Sequence, residues 1–204
     1  MKLLEIPFST NVERVTLALA RKGLTVEHVV LDPHDRSPAV AASGQPLVPV
    51  LVLDDGEVIA DSTAILRRLE RDYPDPPLWP ADPARAAELD IFTSWFNEVW
   101  KGPPNAIVAE EERGSPDLAR LADLWARLLG ALRVFEGLLD GRPYLFGDEL
   151  TAADVLAFPF LKYAAHIEPT DDERFHQALH EGQPLDDHPR IAAWIERIDA
   201  LPRA

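Results

Sequence analysis

A proline-rich segment divides the 204-residue sequence into two parts. Five prolines lie within the ten residues from Pro74 to Pro83, and this density is incompatible with a continuous helix or a central strand. Before the segment, short β-rich and helical patterns alternate, whereas nearly every pattern after it has helical spacing. The sequence therefore predicts two domains of different class, residues 1–73 and residues 85–204, joined by a linker at residues 74–84.

The first domain is predicted to be a small α/β unit. Residues 2–6 and 26–31 have the composition of strands, and the amphipathic helix between them implies parallel pairing through a right-handed crossover. Residues 50–59 predict a hairpin, because Asp55-Gly56 is a favoured turn pair. A helix follows from Ser62. This order of elements is that of a thioredoxin-like domain.

The second domain is predicted to be all-helical. Apolar residues recur at helical spacing over residues 89–99, 118–135 and 191–198. Another helix is predicted to start at Thr151, whose side chain can cap the helix while Asp154 reaches back to the backbone.

Composition excludes several classes of function. The sequence has no cysteine, which rules out disulfides and a cysteine nucleophile of the protein's own. Its 35 acidic and 20 basic residues give a charge of −15, which argues against nucleic-acid and anionic membrane partners. The purest apolar run, residues 47–53, is far shorter than the roughly 20 residues that span a bilayer, and no signal peptide is visible. The expected location is the cytoplasm.

The sharpest local pattern links a strand to the start of a helix. Pro49 cannot donate a hydrogen bond to a sheet, so a cis Val48-Pro49 bond is expected, with the Val48 backbone left able to pair with an extended ligand. Ser62 offers a hydroxyl and backbone N–H groups to a carboxylate, and Asp61 could accept an ammonium group. Both residues also suit plain helix capping. Together they suit the binding of an amino-acid terminus.

The sequence resembles the glutathione S-transferases over essentially its whole length. The resemblance rests on the block from Val48-Pro49-Val50-Leu51 to Asp61-Ser62, on the capping box Leu150-Thr151-Ala152-Ala153-Asp154, and on the position of the proline-rich linker. It implies a homodimeric enzyme that conjugates glutathione, its thiol co-substrate, to a small hydrophobic electrophile. Alternatives on the same fold are a non-catalytic protein that binds glutathione or another ligand, and a glutathione-dependent isomerase or peroxidase.

The resemblance also implies the residues of the thiol site. The catalytic group of the family follows the first strand, where Ser9 stands, and no tyrosine lies nearby. Ser9 would donate a hydrogen bond to the glutathione thiolate, aided by the positive end of the following helix and by Arg14. A plain N-cap role for Ser9 stays open, and Thr10 or Asn11 could replace it as the donor. The expected glutathione-binding set is Ser9, Asn11, Gln45, Val48, Pro49, Asp61 and Ser62.

The electrophile is expected to bind between the two domains, facing Ser9. An apolar pocket with a few polar groups suits this role. The candidate lining residues are Phe8, Phe96, Trp100, Tyr163 and His166.

One departure from the family's pattern concerns the glycyl carboxylate of glutathione. The segment before Val48 lacks the basic residue that often holds this group, which leaves Gln45, His34 or Arg36 as candidates. The identity of the thiol is therefore open.

No metal and no nucleotide cofactor are expected. His176 and His180 are four residues apart, but a His-Glu-x-x-His motif is absent. The sequence also lacks the Gly-x-Ser-x-Gly motif of serine hydrolases and the glycine spacing of nucleotide-binding loops.

Overall fold

Four strands form a mixed sheet in the first part of the chain. The structure is a computed structural model that describes residues 1–204. The strands are β1 (Lys2–Glu5), β2 (Glu27–Val30), β3 (Val50–Val52) and β4 (Val58–Ile59), and their order in the sheet is β2-β1-β3-β4. The predicted parallel pairing of β1 with β2 and the predicted β3-β4 hairpin are both confirmed. Gly56 lies in the hairpin turn with φ +88°, a conformation that glycine adopts without steric cost.

Helices pack against this sheet because both of its faces are apolar. Leu3 and Leu51 are fully buried, and the neighbouring Leu4 and Val50 alternate onto the opposite face, where they pack with Ala39. The helices are α1 (Thr10–Arg21), α2 (Ser37–Ser43) and α3 (Ser62–Asp72), of which α1 and α3 contact each other. The order of strands and helices is that of a thioredoxin-like domain, as predicted.

The short helix α2 does not emerge from the sequence pattern. Only one of its residues, Ala39, is buried, so it has no apolar period to detect. The structure explains its bounds, because Pro38 lies in the first turn and Gly44 ends the helix with φ +80°.

Residues beyond α3 remain part of the first unit. By compactness the chain divides into Met1–Trp79 with Leu201–Ala204, and Pro80–Ala200. The Glu70 carboxylate accepts hydrogen bonds from the backbone N–H groups of Leu78 and Trp79 and from Lys22 Nζ, which lies 2.8 Å from Oε2. Lys22 Nζ also donates to the Tyr73 carbonyl at 2.6 Å. Hydrogen bonds to Lys22 and Glu70 therefore hold the first residues of the expected linker against α1 and α3.

The second unit is helical throughout. Its helices are α4 (Pro83–Trp95), α5 (Gly102–Glu111), α6 (Leu118–Leu138), α7 (Ala152–Leu161), α8 (Arg174–Gly182) and α9 (Pro189–Asp199). Every residue of α7 is buried, which makes it the centre of the unit. The predicted capping box is confirmed, since Thr151 N–H donates to Asp154 at 2.9 Å. Burial raises the pKa of Asp154, while hydrogen bonds, including one from Trp194 Nε1 at 2.9 Å, oppose the rise.

A π-helical turn, Phe96–Trp100, follows α4 directly. The apolar spacing predicts an ordinary α-helix over these residues, and the structure has one wider turn instead. The turn stacks the rings of Phe96 and Trp100 with their centroids 4.5 Å apart. This packing depends on rings from other helices, such as Phe135 and Phe160, which a local sequence period does not reveal.

Candidate functional site

Ser9 lies between β1 and α1 and is the N-cap residue of α1. Its hydroxyl oxygen accepts a hydrogen bond from Val12 N–H at 3.3 Å, and its backbone carbonyl accepts one from Glu13 N–H at 3.0 Å. A serine hydroxyl has one hydrogen in addition to its acceptor lone pairs. Capping uses an acceptor position and leaves the hydrogen available, so the cap role and a donor role are compatible.

The backbone just before Ser9 is strained. Phe8 has φ +60°, and it is the one residue other than glycine with a positive φ in the chain. An aromatic side chain is disfavoured in this conformation, and such strain clusters at functional sites. The sequence contains no signal for this strain, because glycine or asparagine would be the expected residue here.

Asp61 and Ser62 have different structural roles at the start of α3. Asp61 is the N-cap residue, and its Oδ1 accepts a hydrogen bond from Ala64 N–H at 2.8 Å. Ser62 is buried, and its Oγ lies 3.3 Å from Arg14 Nη1 and 3.5 Å from Asn11 Oδ1. The cap role thus belongs to Asp61, while Ser62 joins α3 to α1 through polar side chains.

Arg14 contributes a buried positive charge beside Ser62 and Asn11. Its side chain is 1% exposed. Burial lowers the pKa of the guanidinium to about 9, and the attraction of Asp61 opposes this shift. A pKa of about 9 still leaves Arg14 a cation at neutral pH. Arg14 therefore places a positive charge at this site in a chain whose net charge is −15.

The Val48-Pro49 bond is cis, as predicted. Val48 directly precedes Pro49 and β3, and the hydrogen bonds of the β3 ladder involve residues from Val50 onward. No backbone hydrogen bond within the chain engages Val48. Its N–H and carbonyl can therefore pair with an extended ligand.

Gln45 already has a partner within the protein. Its Nε2 donates to the Ala60 carbonyl at 2.7 Å, which ties the loop before Val48 to the residue before Asp61. Of the other two candidates for the glycyl carboxylate, His34 is exposed and Arg36 is half-buried, both in the loop before α2. Gln45 thus connects the two halves of the predicted thiol motif.

The residues predicted to line the electrophile site have different environments. Phe96 and Trp100 are buried in an aromatic cluster of the helical unit, and Tyr163 is buried with its hydroxyl 3.0 Å from Asp171 Oδ2. Phe8 and His166 are exposed. Three members of the set thus have a structural role, and the pocket itself stays a prediction.

The histidines near α8 serve separate local contacts. His176 Nδ1 lies 2.8 Å from Asp171 Oδ2, whereas His180 Nδ1 lies 2.7 Å from the Tyr163 carbonyl. No group of three or more histidine, aspartate or glutamate side chains is arranged to hold a metal ion. None of the helices combines the length and the apolar character needed to cross a membrane.

Comparison with known proteins identifies the family. The family model for the glutathione S-transferase N-terminal domain matches residues 3–77, and the model for the C-terminal domain matches residues 118–197. Glutathione S-transferase 3 of Zea mays is 34% identical over 217 residues, which cover 99% of this chain and 90% of the relative. Maleylacetoacetate isomerase of Pseudomonas aeruginosa is 32% identical over 210 residues, which cover 99% of this chain and 92% of the relative.

A solved structure gives the same result. A glutathione S-transferase of Methylobacterium radiotolerans, in complex with glutathione sulfonate, superposes with a TM-score of 0.75 at 28% identity, over 98% of this chain and 91% of the other. Both family models and a relative along nearly the full length of the chain thus agree with the thioredoxin-like and helical units described above. The chain therefore belongs to the glutathione S-transferase family, whose co-substrate is glutathione.

Proposed function

We propose that the protein is a glutathione transferase in which the Ser9 hydroxyl donates a hydrogen bond to the glutathione thiolate. The observation that carries this proposal is the geometry of Ser9, whose oxygen accepts from Val12 N–H while its hydrogen is left for a ligand. The sulfur must come with the ligand, because the chain contains no cysteine.

The energy that this activation needs is modest. A free cysteinyl thiol has a pKa of about 8.5, so only a few per cent is thiolate at neutral pH. Lowering this pKa by two units requires about 2.7 kcal/mol of preferential stabilisation of the thiolate. A hydroxyl hydrogen bond together with the positive N-terminus of α1 can supply a free energy of this size.

The reaction that we propose is the addition of the thiolate to a small hydrophobic electrophile. A new S–C bond forms, and the electrophile either releases its leaving group as an anion or, if it is an activated double bond, takes a proton from solvent. The γ-glutamyl end of glutathione binds at Asp61 and Ser62, and the cysteinyl part pairs with the backbone of Val48. Asn11, Gln45 and Pro49 complete the proposed glutathione set.

The proposal is tested by removing the hydroxyl in two ways. In Ser9→Ala both the hydroxyl and the cap are lost, whereas Ser9→Gly keeps most of the capping because glycine is a good N-cap residue. Because α1 stays in place, only the share of the hydroxyl is lost. We therefore expect both variants to raise the pKa of bound glutathione by at least about one unit and to lower conjugation of chlorodinitrobenzene at pH 6.5 about fivefold or more. Only Ser9→Ala should lose about 1 kcal/mol of stability.

The thiolate absorbance at 240 nm measures the pKa of bound glutathione directly. Ser115→Ala is the control, since Ser115 is exposed and lies outside the proposed site. A wild-type thiolate pKa in both Ser9 variants would disprove the donor role of Ser9. A Ser9→Gly variant with full activity would assign Ser9 to capping alone.

A second candidate function is a glutathione-dependent isomerase. The similarity to maleylacetoacetate isomerase over 99% of this chain favours it. Such an enzyme adds the thiolate to an activated double bond and then releases it, so the thiol is not consumed. Incubation with maleylacetoacetate and a trace of glutathione separates the two functions. Isomerisation without loss of thiol supports the isomerase, whereas a stable conjugate supports the transferase. Binding without either product indicates a ligand-binding protein.

We also propose that the protein works as a homodimer in the cytoplasm. The dimer is supported by the membership of a family whose proteins are typically dimeric. The location is supported by the lack of cysteine, since disulfides are typical of exported proteins.

A further inference from the structure

Arg14 is a charged side chain that the proposed chemistry does not yet use. It lies on α1, and its Nη1 is 3.3 Å from Ser62 Oγ at the first residue of α3. The side chains of Arg14 and Ser62 are both buried, with 1% and 5% of the residue exposed. A guanidinium that is removed from water in this way depends on the polar and charged groups around it.

Two neighbours of Arg14 differ in charge and in exposure. Ser62 is a neutral partner, and the carboxylate that attracts Arg14, that of Asp61, belongs to an exposed residue. Positive charge at this position adds to the positive end of α3, where a carboxylate is stabilised. Positive charge behind Ser62, at the start of α3, therefore favours a ligand carboxylate at the Ser62 hydroxyl.

The hydrogen-bond chemistry of Arg14 also sets the direction of the Ser62 hydroxyl. A guanidinium can donate but cannot accept, so Ser62 Oγ accepts from Arg14 and its own hydrogen points to another acceptor. That acceptor is Asn11 Oδ1, at 3.5 Å, the long limit of a hydrogen bond. A carboxylate ligand would replace this weak contact with a shorter, charge-assisted one.

We propose that Arg14 is a positioning residue for the γ-glutamyl carboxylate of glutathione and that it acts through Ser62. This inference rests on the proposed function. Arg14 holds the Ser62 hydroxyl in the donating orientation and supplies positive charge behind it, without contacting the ligand. Asn11 holds the hydroxyl hydrogen until the carboxylate arrives.

The test compares two ligands on matched variants. S-methylglutathione has no ionisable thiol, and its analogue with 4-aminobutyrate in place of the γ-glutamyl residue lacks only the carboxylate in question. In the wild-type protein we expect the analogue to bind about 30-fold more weakly by calorimetry, which corresponds to about 2 kcal/mol. Arg14→Met should weaken S-methylglutathione about tenfold and change the binding of the analogue less than twofold.

Two further variants keep the inference testable if Arg14→Met does not fold. Arg14→Lys retains a donor-only cation, and it should bind S-methylglutathione with an affinity between those of the wild type and Arg14→Met. Ser62→Ala removes the intermediary, so adding Arg14→Lys to it should cause no further loss.

The possible outcomes separate the inference from the function on which it rests. Equal weakening of both ligands by Arg14→Lys or Arg14→Met would give Arg14 a purely structural role and overturn the inference. Unchanged binding of both ligands would also overturn it. A wild-type protein that binds glutathione but not more tightly than the analogue would overturn the inference alone, whereas one that binds neither ligand would overturn the proposed function as well.

Discussion

Ser9 combines two tasks in one small side chain. As an N-cap residue it satisfies a backbone N–H of α1, and as a hydroxyl it retains a hydrogen for a ligand. The cap holds the oxygen at the N-terminus of α1, where a negative charge is also favoured. A side chain that only accepts, such as aspartate, would cap the helix equally well but would repel a thiolate.

Phe8 provides a prediction about backbone strain next to Ser9. At φ +60° a residue with a Cβ atom is strained by about 1 kcal/mol or more, whereas glycine is not. Both Phe8→Gly and Phe8→Ala lose the aromatic ring, so their difference reports the backbone alone. We expect Phe8→Gly to be more stable than Phe8→Ala by about 1 kcal/mol in urea unfolding. Equal stabilities, or a more stable alanine variant, would show that φ at this residue is not positive in solution.

At the scale of elements, α1 is the helix on which the site depends. Ser9 is its N-cap residue, and its first turns carry Asn11 and Arg14. Lys22, at its C-terminal end, contacts Glu70 and the segment beyond α3. The Arg203 guanidinium forms an ion pair with Glu13, 3.0 Å from Nη2 to Oε1, on the same helix. Both ends of α1 are thus anchored by residues that are distant in sequence.

The anchor formed by Lys22 and Glu70 predicts a large loss of stability. The Lys22 side chain has no exposed area, and Glu70 accepts bonds from Lys22 and from two backbone N–H groups. Breaking a buried pair of this kind costs about 3 kcal/mol or more, so Lys22→Met and Glu70→Gln should lower the free energy of unfolding by about that amount. The control is Arg71→Ala, which removes an ion pair whose arginine is 68% exposed and should cost less than about 0.5 kcal/mol. Similar losses in all three variants would refute the anchor.

The sequence predicted those elements whose signals are local. The hairpin has its Asp-Gly turn, α3 has Asp61 and Ser62 at its start, and α7 has its capping box. The same holds for the position of Ser9 after the first strand. These features depend on residues only a few positions apart.

The features that the sequence did not predict depend on contacts between residues that are distant in the chain. The bond from Arg14 to Ser62 joins residues 48 positions apart, and that from Gln45 to Ala60 joins residues 15 apart. Neither has a periodic pattern that would reveal it. The π-helical turn likewise follows from the packing of Phe96 against rings of other helices. These hydrogen bonds and the π-helical turn are therefore determined by tertiary packing and not by local propensity.

At the scale of the whole molecule, the chain combines a high negative charge with apolar side chains on its surface. Val30, Leu47, Ile91 and Leu118 are 62%, 64%, 69% and 78% exposed. Single exposed apolar residues are normal on a monomer, but a partner surface would also cover some of them. The net charge of −15 keeps such surfaces from associating unspecifically.

The proposed homodimer predicts a definite mass in solution. Sedimentation equilibrium at micromolar concentration and physiological salt should give twice the chain mass of 22.7 kDa. Because the chains repel each other electrostatically, lower salt should weaken the dimer. A mass of one chain at every concentration would disprove the dimer, and an assembly that grows without limit would replace it with open association.

The contact between Glu13 and Arg203 has a consequence for the order in which the protein is made. The two residues are 190 positions apart, so Glu13 leaves the ribosome long before its partner has been synthesised. The Thr16 carbonyl likewise accepts a hydrogen bond from the N–H of Ala204, 3.1 Å away, which is synthesised much later. Contacts between such distant residues close late because they require the longest loops. The helix that Ser9 caps is thus among the first parts of the nascent chain, yet its final restraints form only when translation has passed through the whole helical unit.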